Sequence, residues 1–183
     1  MEQYRAYHAT GTKARLAFEL LLVLGPRSQD VVRIGRQMVS ADGWLRFKPK
    51  KTAATSGVEV DVEMPVELWT ELVHVPKSQL LFIQTEFGKA YSVKGFGNWF
   101  KRQCRLAGLP QCSAHGLRKG GATQRSENGA TIYQLMALYG WTSEKTAGVY
   151  TRKAARKKLA AGAMGLLSVP LSVPVGQKSK KPA

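Results

Sequence analysis

Between positions 115 and 151 the sequence gathers an imidazole, a guanidinium, an indole and a phenol: His115-Gly116-Leu117-Arg118-Lys119, then Gly140-Trp141, then Val149-Tyr150-Thr151. A tyrosine hydroxyl is a weak nucleophile at its ordinary pKa, so an enzyme that turns it on phosphate must surround the reacting group with cations that stabilise the developing negative charge. The chain supplies them. Attack on a phosphodiester also needs an in-line geometry, neutralised non-bridging oxygens and a proton for the leaving oxygen. Arg118 offers a forked, permanently charged donor for the oxygens, which a lysine would match less well. Tyr150 is the candidate nucleophile, and His115 is a candidate to accept its proton or to hydrogen-bond the phosphate.

The order H-x-L-R, then G-W, then a Tyr in a Y-T-R context resembles the catalytic core of the tyrosine recombinases, also called the phage integrase family. The resemblance extends upstream. Gly25-Pro26-Arg27-Ser28-Gln29-Asp30 fits the family's first-arginine motif, which identifies Arg27, and Lys51 stands where the family carries its catalytic lysine. The intervals from Arg27 to Lys51, His115 to Trp141 and His115 to Tyr150 fall within the family's usual range. The match covers roughly residues 13 to 160, and several positions in the right order are more specific than any one motif.

The resemblance implies that Arg27 and Arg118 clamp the scissile phosphate while Tyr150 attacks it, leaving a 3′-phosphotyrosyl link and a free 5′-hydroxyl. Lys51 is then the general acid for the departing oxygen, since neighbouring arginines lower an ammonium's pKa and ease its donation; Lys50 is its closest competitor. Trp141 occupies the place of a second histidine in many relatives, and Lys119 that of another. An indole donates one N–H but transfers no proton, so Trp141 is expected to position and pack. No cofactor or metal is expected, because the phosphotyrosyl link conserves the bond and religation reverses the attack.

Composition agrees. With 28 Lys plus Arg against 12 Asp plus Glu the chain carries a formal charge of +16, which favours a polyanionic partner, and double-stranded DNA is the first candidate. Cys104, Cys112 and the three histidines show no metal-ligand spacing, and two thiols without a signal peptide read as reduced cysteines of a cytoplasmic protein. The longest apolar stretch, residues 20–24, is far shorter than the ~20 residues a membrane span needs.

The elements that must position these groups are legible as periodicity. Residues 13–24 carry a broad apolar helical face ending at Gly25-Pro26. A second helix, from Arg27 to about Ile34, sets Arg27 and Asp30 one turn apart, so the carboxylate can orient the guanidinium or a neighbouring group. Alternation from Trp44 to Lys48 and from Val58 to Met64 predicts an antiparallel hairpin with Lys50 and Lys51 near its tip and a turn over residues 52–57. Pro65 starts a helix through about Val73; residues 80–83 read as a short buried strand, and residues 94–107 as a basic amphipathic helix whose aromatics face the core. His115 lies just before a glycine-bearing helix. A helix over residues 131–138 stops at Gly140, and the next, capped by Thr142 or Ser143, carries Tyr150 near the end of a short, movable element.

Together these readings give an α+β fold, mainly helical with a small antiparallel hairpin: residues 1–12 as a lead-in, 13–166 as the catalytic domain, and 167–183 as a basic, disordered tail. The expected function is site-specific DNA recombination or integration. A type IB topoisomerase-like nicking and resealing enzyme and a DNA-binding remnant that no longer cuts are the alternatives. Relatives carry a separate core-binding domain before the catalytic one, and residues 152–166 have the amphipathic composition for self-association on DNA.

Overall fold

A computed structural model of the chain describes residues 1–53 and 57–166. The expected basic tail, 167–183, and the middle of the expected turn lie outside the described residues. Helix α1 spans Glu2–Tyr7 and α2 spans Lys13–Glu19, capped by the Thr12 hydroxyl, which accepts from the Arg15 N–H at 3.2 Å. The apolar run continues α2 as a π-helical turn over Leu20–Leu24. Gly25 ends it with φ 60, and a Cβ there would lie 2.3 Å from the Tyr139 ring, so only glycine permits that approach.

Residues 1–12 are no loose lead-in. Tyr4 is 1% exposed and stacks on Phe18 at 4.6 Å, Gln3 donates to the Ala107 carbonyl at 2.9 Å, and Arg5 forks onto buried Glu19 at 2.8 and 2.7 Å. Tyr4 and His8, four apart, lie on one helical face and both are buried. Helix α1 therefore belongs to the same core as α2.

The second expected helix is shorter than its sequence pattern: α3 spans Ser28–Val31, and Arg27 is its extended N-cap residue, not its first turn. Strands β1, Trp44–Phe47, and β2, Val60–Glu63, pair antiparallel with Trp44 opposite Glu63 and Phe47 opposite Val60. Leu45, Phe47 and Val60 turn inward, while Arg46 and Asp61 pair at 2.7 Å on the outer face. Pro65 caps α4, Val66–Leu72. The apolar run 80–83 forms no named strand; it makes an isolated bridge from Leu81 to Gly35, with the Phe82 N–H donating to the Ile34 carbonyl at 3.0 Å. Gly35 is needed there because a Cβ would sit 2.0 Å from the Leu80 carbonyl oxygen.

Helix α5, Val93–Leu106, buries Phe96, Phe100 and Cys104 and leaves its cations outside, as its pattern requires. Helix α6, Ala114–Glu127, is capped by the Ser113 hydroxyl, and His115 is its second residue, not the one before it. Helix α7, Ile132–Tyr139, opens with a Thr131–Gln134 capping box and stops at left-handed Gly140. Helix α8 runs unbroken through Glu144–Gly165. Tyr150 thus stands in the second turn of a 22-residue helix, and the expected short, movable element is corrected: the alanines and long-chain residues after Thr151 are strong helix formers and continue it. The apolar interior has two parts, a large one from α1 through the start of α6, and a smaller one of Ala122, Leu135, Tyr139, Trp141 and Ala147. Arg118 lies against the smaller part, over Tyr139 and Trp141.

Candidate active site

A cleft of about 310 Å³ is walled by Arg27, Ser28, Gln29, Lys51, His115 and Arg118, with Pro26, Val93 and Ala114 as its apolar surfaces. Four separate segments converge on it: the Gly25–α3 corner, the chain just past β1, the start of α5 and the first turns of α6. Helix geometry puts His115 and Arg118, three residues apart, on one face of α6.

Arg118 is the most enclosed cation, at 7% exposure. Its guanidinium donates to the Gly25 carbonyl and, at 3.0 Å, to the Tyr139 carbonyl, and it lies 4.9 Å from the Tyr139 ring centre and 5.4 Å from that of Trp141. Burial pushes its pKa down to about 10, and the positive charge of Arg27 pushes in the same direction. It remains a cation at neutral pH. Arg27 Nη1 is enclosed and has no hydrogen-bond acceptor, as is Nε2 of Gln29 in the same wall. Two like charges and two unanswered donors around one opening form a site that an anion would complete.

Asp30 does not pair with Arg27. Buried to 2% exposure, it accepts the backbone N–H of Lys50 at 2.8 Å and approaches Arg33 at 3.9 Å. Of the two uses open to this carboxylate, the structure shows the one on neighbouring groups. Its effect is to fasten the chain that follows β1 to the arginine corner. Gly140 adds a second fastening, since a Cβ there would meet Pro49 at 2.7 Å. These contacts bring the exposed Lys51 into the cleft wall; Lys50 is exposed but is not in that wall.

Trp141 and Tyr150 are not wall residues. Tyr139, Trp141 and Tyr150 form a continuous ring stack behind Arg118, at 4.8 Å and 16° for the first pair and 5.2 Å and 10° for the second. Arg27, Lys51, His115 and Arg118 are therefore grouped directly, and the phenol of Tyr150 joins them through aromatic contact. The sequence reading missed three participants: Gln29, Tyr139 and Arg125, which donates to the Tyr139 hydroxyl at 3.0 Å. The aromatic spacing of residues 139, 141 and 150 was the available signal for the stack; a polar residue between Arg27 and Asp30 was the one for Gln29.

Among the described residues no group of three or more His, Cys, Asp or Glu side chains is arranged to hold a metal ion, and no helix is long and apolar enough to cross a membrane.

Residues 1–157 match the sequence model of the phage integrase family. The tyrosine recombinase XerC of Chlamydia caviae is 25% identical over 160 residues, an alignment covering 81% of this chain and 50% of the relative, so the chain spans half the length of that protein. Among solved structures, the XerH site-specific recombinase bound to a palindromic difH substrate superposes with a TM-score of 0.66 at 18% identity, covering 91% of this chain and 50% of that one. A lambda integrase tetramer bound to a Holliday junction superposes at 0.61 with 21% identity, covering 81% and 45%. Both superpose on the α+β fold described above.

Proposed function

Because this chain belongs to the phage integrase family, we propose that it carries out site-specific recombination or integration, cutting and rejoining duplex DNA through a 3′-phosphotyrosyl intermediate. The observation that carries this reading is the pairing of Arg27 and Arg118 across one cleft with unanswered donors, beside a tyrosine held by the ring stack.

The scissile phosphate enters the cleft and the two guanidiniums take its non-bridging oxygens, supplying a fixed array of positive charge that water does not provide. Tyr150 Oη forms a bond to phosphorus as its proton passes to His115 or to solvent. The bond from phosphorus to the 5′-oxygen breaks, and Lys51 Nζ gives that oxygen a proton. The phosphodiester has been exchanged for a phosphotyrosyl ester, so attack by a 5′-hydroxyl reverses the step without an external energy source. Trp141 positions the nucleophile by stacking.

The DNA is the expected polyanionic partner, and the compartment that holds it, the cytoplasm, is the proposed location. Self-association on DNA is assigned to α8, where Val149 and Leu159 are exposed along the same groove. A separate core-binding domain or protein completes the clamp around the duplex.

Incubation with a duplex nicked beside the scissile bond tests the proposal, because loss of the short 5′-hydroxyl product traps the covalent adduct. The parent chain gives a protein–DNA band resistant to denaturation, and Tyr150→Phe gives none while binding DNA within a few-fold, since only the hydroxyl is lost. Equal trapping by the variant assigns the nucleophile elsewhere. Relaxation of supercoiled plasmid without strand exchange supports the topoisomerase-like reading, and binding without any trapping supports a non-cutting remnant.

A further inference from the structure

Tyr139 is buried to 1% exposure and contacts both Arg118 and Trp141 of the proposed machinery. Its carbonyl accepts from Arg118 at 3.0 Å, its ring centre lies 4.9 Å from the same guanidinium, and the ring stacks on Trp141, whose centre lies 5.4 Å from that guanidinium and which stacks in turn on Tyr150. Its edge fills the space that Gly25 leaves open, next to the carbonyl that also receives Arg118. The hydroxyl is held in turn. Arg125 donates to it at 3.0 Å and also binds the carbonyls of Leu22, at 3.2 Å, and Val23 in the π-helical turn that leads to Gly25 and Arg27.

We propose that Tyr139, fixed by Arg125, is a positioning residue that sets the distance and tilt between the Arg118 clamp and the Tyr150 nucleophile through the ring stack. This rests on Tyr150 being the nucleophile. Stacked rings close to parallel resist both tilting and sliding, whereas an aliphatic side chain of similar volume fills space without fixing an angle. A nucleophile on a long helix still needs such an angular constraint, because misplacement by about 1 Å lowers an in-line attack by about 10²-fold. The hydroxyl end serves only to hold the ring, so most of the effect resides in the ring itself.

The test compares Tyr139→Phe, Tyr139→Leu and Tyr139→Met in the full chain, using single-turnover trapping on the nicked duplex at saturating DNA, DNA affinity, thermal melting and near-ultraviolet circular dichroism. Parental trapping comes first: its absence refutes the nucleophile assignment itself. With the parent active, the expected result is cleavage within about 3-fold for Phe and a loss of roughly 10-fold or more for Leu and Met, with DNA affinity within about 3-fold and the stacked-ring dichroism retained only in Phe. The loss then lies in the rate at saturation and the aromatic variant rescues it. Parental rates in Leu or Met overturn the proposal, as does a loss confined to affinity or an equal loss in all three. Unfolding of both aliphatic variants assigns the ring to stability alone and also overturns it.

Discussion

Replacing Arg27 by methionine is expected to make the DNA-free protein more stable while removing its cleavage. Arg118 sits at a pKa of about 10, below the ordinary guanidinium range, with burial the larger cause and the charge of Arg27 the next. At about 1.4 kcal/mol per pH unit, that depression corresponds to about 3 kcal/mol by which the folded site disfavours the charged form. Arg27 accounts for the smaller part. Its enclosed Nη1, with no acceptor, adds a desolvation cost, which lies at about 1–3 kcal/mol for a fully orphaned donor. Methionine keeps the aliphatic stem and removes both terms, so a net gain of about 1–2 kcal/mol is expected, or roughly 3–6 °C in Tm for a domain of this size. The sign with pH is fixed by the same depression. A cation whose folded pKa is lowered costs stability wherever both states are charged, and the cost is relieved only as pH rises past about 10; at pH 7 it is present in full. Thermal melts at pH 7 in low chloride measure the gain, and sulfate at matched ionic strength measures the other half of the argument. Sulfate stabilises the parent by filling the anion site and has little effect on Arg27→Met. A lower Tm for the variant in chloride, or equal sulfate stabilisation of both proteins, would refute the reasoning.

Three further outcomes follow from the site. Lys51→Ala lowers cleavage by at least ~10²-fold, the scale of a lost general acid, and Lys50→Ala by far less; a 5′-sulfur leaving group, which needs no proton, restores Lys51→Ala, and a lack of rescue would remove Lys51 from that role. Asp30→Ala frees the Lys50 N–H and destabilises the fold by about 1–3 kcal/mol, with cleavage falling more than DNA affinity in filter-binding and trapping assays; an unchanged cleavage rate would show that the fastening is idle. Cys104, buried with its thiol pushed up to about 11, resists iodoacetamide at pH 8 until the protein unfolds, whereas half-buried Cys112 reacts first, as peptide mapping of the alkylated protein would reveal.

Local chemistry made much of this fold readable. Gly140 stops α7 as its position predicts, and the alternation on either side of residues 52–57 produces the β1–β2 register. Phe96 and Phe100 face inward because a basic helix has only one apolar side to bury. The misreadings fall where tertiary contact overrides local pattern. Six residues such as Glu2–Tyr7 are too few for an isolated helix, and α1 persists because Tyr4 and the Arg5–Glu19 fork hold it to α2 and α5, contacts far away in sequence. Residues 32–34 leave the expected second helix because Ile34 and Gly35 turn to bond residues 80–82.

The same distinction explains which site residues were legible. Arg27, His115, Arg118 and Tyr150, the residues proposed to act on phosphate, carry that chemistry in their own side chains and stand in short motifs, so type and order single them out as candidates. Tyr139, Arg125 and Asp30 act through what they touch. Asp30 could serve Arg27 or a neighbouring group on spacing alone; α3 begins after Arg27, which leaves the arginine extended and turns the carboxylate toward the Lys50 N–H. Arg125 and Tyr139 acquire meaning only when α6, α7 and the π-helical turn meet, and the glycines that permit the meeting, Gly25 and Gly121, are what the sequence does display. A Cβ at Gly121 would lie 3.1 Å from both the Leu22 carbonyl and the Tyr139 hydroxyl. The absence of a side chain at those two positions is therefore as much a part of the candidate site as the guanidiniums it brings together.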